Sequence, residues 1–152
     1  MEPVSSLAAK SRVAALTARL DRPIVLVGLM GAGKSTVGRR LATILKCSFI
    51  DADDAIEEAA RLPIAEIFSE FGEAYFRDGE RRVIARLMEE NHGIIATGGG
   101  AFINAETRAL ILEGAIAVWI DCDDGAGEQS HGFHVPGNTG STVFYPRKQR
   151  RK

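Results

Sequence analysis

The residues Gly28-Leu29-Met30-Gly31-Ala32-Gly33-Lys34-Ser35-Thr36 decide the fold of this chain. They match the pattern G-x-x-x-x-G-K-[S/T] at every fixed position. The β-branched run at 24–27 precedes them and predicts a buried strand, and apolar residues at helical spacing over 34–46 follow them. In this setting the glycines turn backbone N–H groups toward phosphate oxygens, and the following helix adds the positive end of its dipole. The stretch therefore predicts a nucleoside triphosphate site.

Two side chains of this loop have separate tasks. Lys34 supplies a point charge to the β- and γ-phosphates, and the hydroxyl of Ser35 is a ligand for Mg²⁺. The alternative, a chance glycine-rich turn, does not explain why a strand precedes the motif and a helix follows it.

Strand and helix patterns alternate around the loop. This alternation predicts an α/β fold with a parallel sheet covered by helices on both faces. Ligands of such sheets bind beyond the carboxyl ends of the strands. The predicted strands are 24–27, 48–50, 93–97 and 115–120, and the predicted helices are 34–46, 53–60, 64–71, 74–90 and 105–113.

Carboxylates follow the second predicted strand, in the sequence Asp51-Ala52-Asp53-Asp54. In extended geometry Asp51 and Asp53 point the same way. One would then lie near the Mg²⁺ shell, and the other would accept hydrogen bonds from substrate hydroxyls. The residues also leave open that they cap the next helix, and Asp54 is expected to be a cap or surface charge.

Gly98, Gly99 and Gly100 follow the third predicted strand. Without side chains they allow a ligand to approach the backbone closely. A plain flexible turn explains them equally well, so the residues alone leave both interpretations open.

Arg77 lies in a helical stretch before the third strand. Its planar guanidinium suits a carboxylate ligand. Its neighbours Glu73, Asp78 and Glu80 also suit ordinary pairs on a helix surface, and the residues alone favour that surface interpretation.

Taken together, these motifs resemble those of the shikimate kinases. The aspartate pair, the Phe-Arg pair and the triple glycine, in this order, separate that family from others with the same phosphate loop. The resemblance covers about residues 23–120. It is carried by GLMGAGKST (28–36), FIDAD (49–53), IAEIF (64–68), YFR (75–77) and TGGGA (97–101).

The resemblance implies a three-layer P-loop kinase fold and an ATP- and Mg²⁺-dependent reaction. It implies that Asp51 supports Mg²⁺ from the second coordination shell of the ion. The residues that would wrap the ATP phosphates are Gly31, Ala32, Gly33, Lys34, Ser35 and Thr36.

For the acceptor, the resemblance implies shikimate, phosphorylated on its 3-hydroxyl on the route to aromatic amino acids. Asp53 would bind ring hydroxyls and act as the base, and Arg77 would clamp the carboxylate. Gly98, Gly99 and Gly100 would present backbone to shikimate, and Phe68 and Phe76 would wall the pocket. The family also implies a cytoplasmic monomer.

Composition limits the other classes of function. The 152 residues suffice for one domain, and 19 Lys and Arg against 20 Asp and Glu exclude an overall basic nucleic-acid surface. No apolar run approaches the ~18–20 residues of a membrane helix. Cys47 and Cys122 form neither a disulfide framework nor a zinc cluster, which favours a reducing, cytoplasmic location.

The sequence divides into three parts. Residues 1–22 predict a helical extension, 23–120 the kinase core, and 121–152 a disordered tail. From Asp123 onward there is no Leu, Ile or Met, and five of the last six residues are basic. We expect His131 and His134 to be an exposed pair without a metal, and the basic run to be solvated.

The resemblance stops after about Ile120. Family members continue with a helix, an arginine-bearing lid, a helix with a second carboxylate-binding arginine, a fifth strand and a final helix. Since residues 121–152 fit none of these, we expect a truncation or a shift of reading frame. Two alternatives to an active shikimate kinase stay open: a non-catalytic nucleotide-binding remnant, and another small-molecule P-loop kinase.

Overall fold

The computed structural model describes residues 4–29, 31–90 and 93–120. The predictions for Cys122, His131, His134 and the basic end of the chain lie outside these residues. The helices are α1 (Val4–Arg19), α2 (Lys34–Leu45), α3 (Ala52–Ala60), α4 (Ile64–Glu90) and α5 (Ala105–Gly114), and the strands are β1 (Ile24–Val27), β2 (Phe49–Asp51), β3 (Ile94–Ala96) and β4 (Ile116–Trp119).

The four strands form one parallel sheet in the order β2-β3-β1-β4. In the register, Ile24 of β1 lies beside Ile94 of β3 and Ile116 of β4. Strands β1 and β3 occupy the centre and are buried along their whole length, as their continuous apolar sequences predict. The predicted α/β fold with a parallel sheet is confirmed.

Helices cover both faces of the sheet, since successive side chains of β1 point to opposite sides. Val25 and Val27 belong to a core cluster with Ile84 of α4 and Ile111 of α5. Leu26 belongs to a second cluster with residues of α2, against which α1 also packs. The sequence 4–19 is helical, in agreement with the helix predicted within 1–22. Within the described ranges, no helix combines the length and the apolar composition that crossing a membrane requires.

Two boundaries differ from the predicted ones in a way that matters for the site. Strand β2 ends at Asp51 and α3 begins at once, at Ala52. Asp53 is therefore helical, and the expectation that Asp51 and Asp53 share an extended segment is wrong. Gly72, with φ 83° and ψ 174°, breaks α4 between the two predicted helices.

Candidate active site

The carboxyl ends of β1, β2 and β3 lie side by side at one edge of the sheet. The phosphate loop leaves β1 there, Asp51 ends β2, and Gly98 follows β3 by two residues. This juxtaposition is the one that parallel strands predict. The predicted site residues are therefore brought to a common edge.

The phosphate loop is built around its glycines and Lys34. Gly31 and Gly33 have φ of 79° and 84°, which L-residues with side chains rarely adopt. Lys34 opens α2, and its Nζ donates to the carbonyl oxygens of Gly28 and Leu29, both at 2.8 Å. Burial of the Lys34 side chain lowers the pKa of its ammonium, and the charges of nearby aspartates partly oppose this. The loop thus holds a cation inside its own curve.

Asp51 serves two neighbours at once. Its Oδ2 accepts a hydrogen bond of 2.7 Å from the hydroxyl of Ser35. Its Oδ1 accepts one of 3.0 Å from the backbone N–H of Asp53, so it is also the N-cap of α3. The two interpretations of this aspartate, as a helix cap and as part of the phosphate site, are both correct for its geometry.

The oxygens of Ser35 and Asp51 suit a hard cation such as Mg²⁺. Among the residues that the structure describes, no three His, Cys, Asp or Glu side chains form a metal-ligand cluster. Such an arrangement fits an ion held through few protein oxygens together with phosphate oxygens, the usual manner for Mg²⁺.

Asp53 lies between the phosphate loop and the glycine loop. A Cβ atom on Gly98 would lie 2.8 Å from its Oδ1, so the glycine makes room for the carboxylate. Burial raises the pKa of the Asp53 carboxyl, the charge of Asp51 adds to this, and Lys34 opposes it. A carboxylate whose proton affinity is raised in this way suits a general base.

Arg77 is held by two carboxylates of its own helix. Its Nη1 donates to Oε1 of Glu80 at 2.8 Å, and its Nε lies 3.6 Å from Oε1 of Glu73. Glu80 is only 1% exposed, so the interpretation of Arg77 and Glu80 as an ordinary surface pair is wrong. Burial raises the pKa of the Glu80 carboxyl, and the hydrogen bond from Arg77 opposes this rise. A buried carboxylate thus fixes one side of the guanidinium.

The glycine loop follows the shape of these side chains. A Cβ on Gly100 would collide with the guanidinium of Arg77, and one on Gly98 would lie 3.5 Å from Oε2 of Glu80 as well as against Asp53. None of Gly98, Gly99 and Gly100 has a positive φ. The loop needs glycine at 98 and 100 for close approach, and the flexible-turn interpretation is not required.

Two aromatic rings lie beside Arg77. The ring centroids of Phe68 and Phe76 are 4.4 Å apart. The guanidinium carbon of Arg77 lies 5.2 Å from the centre of the Phe76 ring, within cation–π distance. Phe76 is 5% exposed and belongs to a small core cluster with Ile56 and Ile67.

Sequence reasoning missed two residues that shape the site. Glu80 was noted only as a surface partner, although it is the buried support of Arg77. Thr97 is also buried, and its hydroxyl donates at 2.9 Å to the carbonyl oxygen of Leu26, which ties the end of β3 to β1. The i,i+3 spacing of Arg77 and Glu80 was the available signal for the first residue, and nothing in the sequence indicated the second.

Known proteins give the chain its family. The sequence model described as "Shikimate kinase" matches residues 30–125, more than half of the chain. The chain belongs to the shikimate kinase family. Its resemblance to that family, inferred from the motifs, is thereby confirmed.

Curated shikimate kinases share long stretches with the chain. The protein from Novosphingobium aromaticivorans is 55% identical over 127 residues, which cover 81% of this chain and 66% of the relative. That from Caulobacter vibrioides is 64% identical over 102 residues, which cover 67% of this chain and 51% of the relative. The chain thus spans about half to two thirds of the length of these relatives.

Solved shikimate kinases share the fold. The enzyme from Acinetobacter baumannii in complex with shikimate aligns with a TM-score of 0.65 and 40% identity, covering 71% of this chain and 59% of that one. The enzyme from Aquifex aeolicus aligns with a TM-score of 0.62 and 36% identity, covering 68% and 61%. These alignments agree with the P-loop kinase fold inferred for the core.

Proposed function

We propose that this chain transfers the γ-phosphoryl group of ATP to the 3-hydroxyl of shikimate, giving shikimate 3-phosphate and ADP. The observation that carries the proposal is the position of the Asp53 carboxylate. It lies close enough to Lys34 to feel its charge, and it fills the space that Gly98 leaves open. The same glycine loop contacts Arg77, so the phosphate and acceptor halves of the site meet at Asp53.

In this mechanism each half has its own residues. Gly31, Ala32, Gly33, Ser35 and Thr36 surround the phosphates, and Lys34 stabilises the charge that develops on the γ-phosphoryl group. Ser35 and Asp51 are the residues that would hold Mg²⁺, which supplies further charge neutralisation when bound.

On the acceptor side, Arg77 binds the carboxylate of shikimate through its guanidinium fork. The backbones of Gly98, Gly99 and Gly100 line the ring, and Phe68 and Phe76 close one wall. Asp53 accepts the proton of the 3-hydroxyl as its oxygen bonds to the γ-phosphorus, and the bond to the bridging oxygen of ADP breaks. We place this reaction in the cytoplasm, in a monomer without nucleic-acid or membrane partners.

The proposal is tested by ADP release from the purified chain with ATP and Mg²⁺, in the presence and absence of shikimate. We expect release to depend on shikimate. Inositol is the matched acceptor, because it has ring hydroxyls but no carboxylate for Arg77, and we expect no stimulation by it. Equal turnover of both acceptors would favour another small-molecule kinase, and a folded chain that binds ATP without either stimulation would be the non-catalytic remnant.

Nucleotide binding gives a separate prediction. Lys34→Met is expected to weaken ATP binding by about 10–100-fold, because a hydrogen bond to a charged group contributes roughly 1.5–3 kcal/mol. Isothermal titration with ATP and Mg²⁺ measures this effect. Arg40→Met is the control, since Arg40 is an exposed cation farther along α2. An affinity of Lys34→Met within about twofold of the unaltered chain would contradict this role for the lysine.

A further inference from the structure

A second concave site lies outside the residues considered so far. It is a groove between α3 and the second half of α4, with a cavity of about 380 Å³. This volume is within the roughly 300–1,000 Å³ that small-molecule sites occupy. Its lining includes Ile56, Ile67, Phe76, Gly79, Arg82 and Arg86.

The groove uses a different face of α4 from the candidate active site. Phe76, Gly79, Val83 and Arg86 follow one another at three- and four-residue spacing and so share one face of the helix. Arg77, with its partner Glu80 three residues on, follows the same spacing on the neighbouring face. A ligand in the groove therefore does not occupy the space assigned to shikimate.

Gly79 keeps the groove open. It lies inside α4, where glycine is a poor helix former. Its φ is not positive, and no atom lies within 4 Å of an added Cβ. Neither backbone conformation nor crowding requires glycine here, in contrast to Gly98 and Gly100. Its effect on the structure is to leave empty space above the floor of the groove.

The floor is apolar and the rim is cationic. Ile56, Ile67 and Phe76 are 4%, 3% and 5% exposed and form the floor. At the rim, Arg82 forms an ion pair of 2.9 Å with Asp78, whereas Arg86 has no carboxylate within ion-pair distance among the described residues. An apolar floor beside an unpaired guanidinium is complementary to a flat apolar group that carries one negative charge.

We propose that this groove binds a small aromatic carboxylate. The ring lies on Ile56 and Phe76, in the space above Gly79, and the carboxylate pairs with Arg86. The site also has a route to the active site, since the guanidinium carbon of Arg77 lies 5.2 Å from the centre of the Phe76 ring. A ligand that packs against Phe76 changes the surroundings of Arg77.

Indole-3-acetate is the probe, titrated into the ¹⁵N-labelled chain and followed by NMR. We expect saturable shifts of the amides of Gly79 and Val83, and of the side-chain Nε signal of Arg77. Indole-3-acetamide, with the same ring but no charge, is expected to bind up to about fivefold more weakly, as for the loss of an exposed ion pair. These signals report binding and not turnover, so they fail or succeed independently of the proposed kinase activity.

Two variants locate the probe. Arg86→Gln is expected to weaken indole-3-acetate binding by the same factor as the uncharged probe, and Gly79→Leu is expected to abolish it by filling the cavity. Because the added side chain meets no atom and leucine is the better helix former, Gly79→Leu is expected to keep or raise the melting temperature. Arg12→Gln, an exposed arginine on α1, is the control and is expected to leave binding unchanged.

Three results would overturn the proposal. The first is no saturable binding of indole-3-acetate by the folded chain up to about 10 mM. The second is binding that neither Arg86→Gln nor Gly79→Leu reduces. The third is a dimer in sedimentation that Gly79→Leu dissociates, which would assign the groove to a second copy of the chain.

Discussion

Asp53→Asn is expected to lower shikimate-dependent turnover by about 10²–10⁴-fold while raising the melting temperature. The loss of rate is the usual contribution of a positioned general base. The gain in stability follows from the raised pKa of Asp53, since its ionised form is less favourable in the folded chain than in the unfolded one. Kinetics of ADP release and thermal unfolding at neutral pH measure the two effects.

The sign of the pH dependence distinguishes this explanation from a general loosening of the fold. A carboxyl with a raised pKa in the folded state holds its proton more tightly there. Stability contributed by Asp53 therefore falls as pH rises from its ordinary pKa through the raised one. Asp53→Asn removes that fall.

Asp54→Asn is the matched control for Asp53. It removes the neighbouring, exposed carboxylate from the same turn of α3, and we expect it to change turnover and melting temperature little. Turnover of Asp53→Asn within about threefold of the unaltered chain would refute the assignment of the base. A lower melting temperature would refute the electrostatic account of its stability.

Arg77→Ala is expected to weaken shikimate binding by about 10–100-fold and to lower the free energy of unfolding by about 1–3 kcal/mol near neutral pH. The first effect follows from the loss of a charged hydrogen-bond donor for the substrate carboxylate. The second follows because the carboxylate of Glu80, 1% exposed, keeps its burial and loses its 2.8 Å partner. Titration with shikimate and urea unfolding measure them.

The loss of stability in Arg77→Ala is expected to shrink as pH falls. Burial already raises the pKa of Glu80, and without Arg77 the pKa rises further, so protonation relieves the unpaired charge at a higher pH. The double variant Arg77→Ala/Glu80→Gln is accordingly expected to recover most of the lost stability at neutral pH and none of the shikimate binding.

Arg82→Ala is the stability control for Arg77. It removes an arginine of the same helix whose pair with Asp78 is exposed, and such pairs contribute only about 0.2–1 kcal/mol. If Arg77→Ala/Glu80→Gln is no more stable at neutral pH than Arg77→Ala, Glu80 is not the source of the loss. If shikimate binding survives Arg77→Ala, the clamp lies elsewhere.

What could be predicted from the sequence was what neighbouring residues determine. The strand Ile24–Val27, the phosphate loop and the α/β alternation depend on local patterns, and the structure has them where the patterns place them. The sheet then brought Asp51, Asp53 and Gly98 to one edge, as the carboxyl-end rule predicts.

The remainder depends on contacts between distant elements. Glu80 reads as a surface residue because glutamate is almost never fully buried, and only the face that α4 turns toward the glycine loop removes it from water. Gly98 and Gly100 needed the same knowledge, because their absent side chains make room for residues more than 20 positions away in sequence. The helical position of Asp53 depends on the cap that Asp51 provides.

That cap has a mechanical consequence. One carboxylate holds the Ser35 hydroxyl through one oxygen and the first turn of α3 through the other. The start of the helix that carries Asp53 and the hydroxyl beside the phosphate loop are therefore joined by a single rigid link. A displacement at the phosphate end is transmitted through two hydrogen bonds to the base at the acceptor end, so the two halves of the site keep a common alignment.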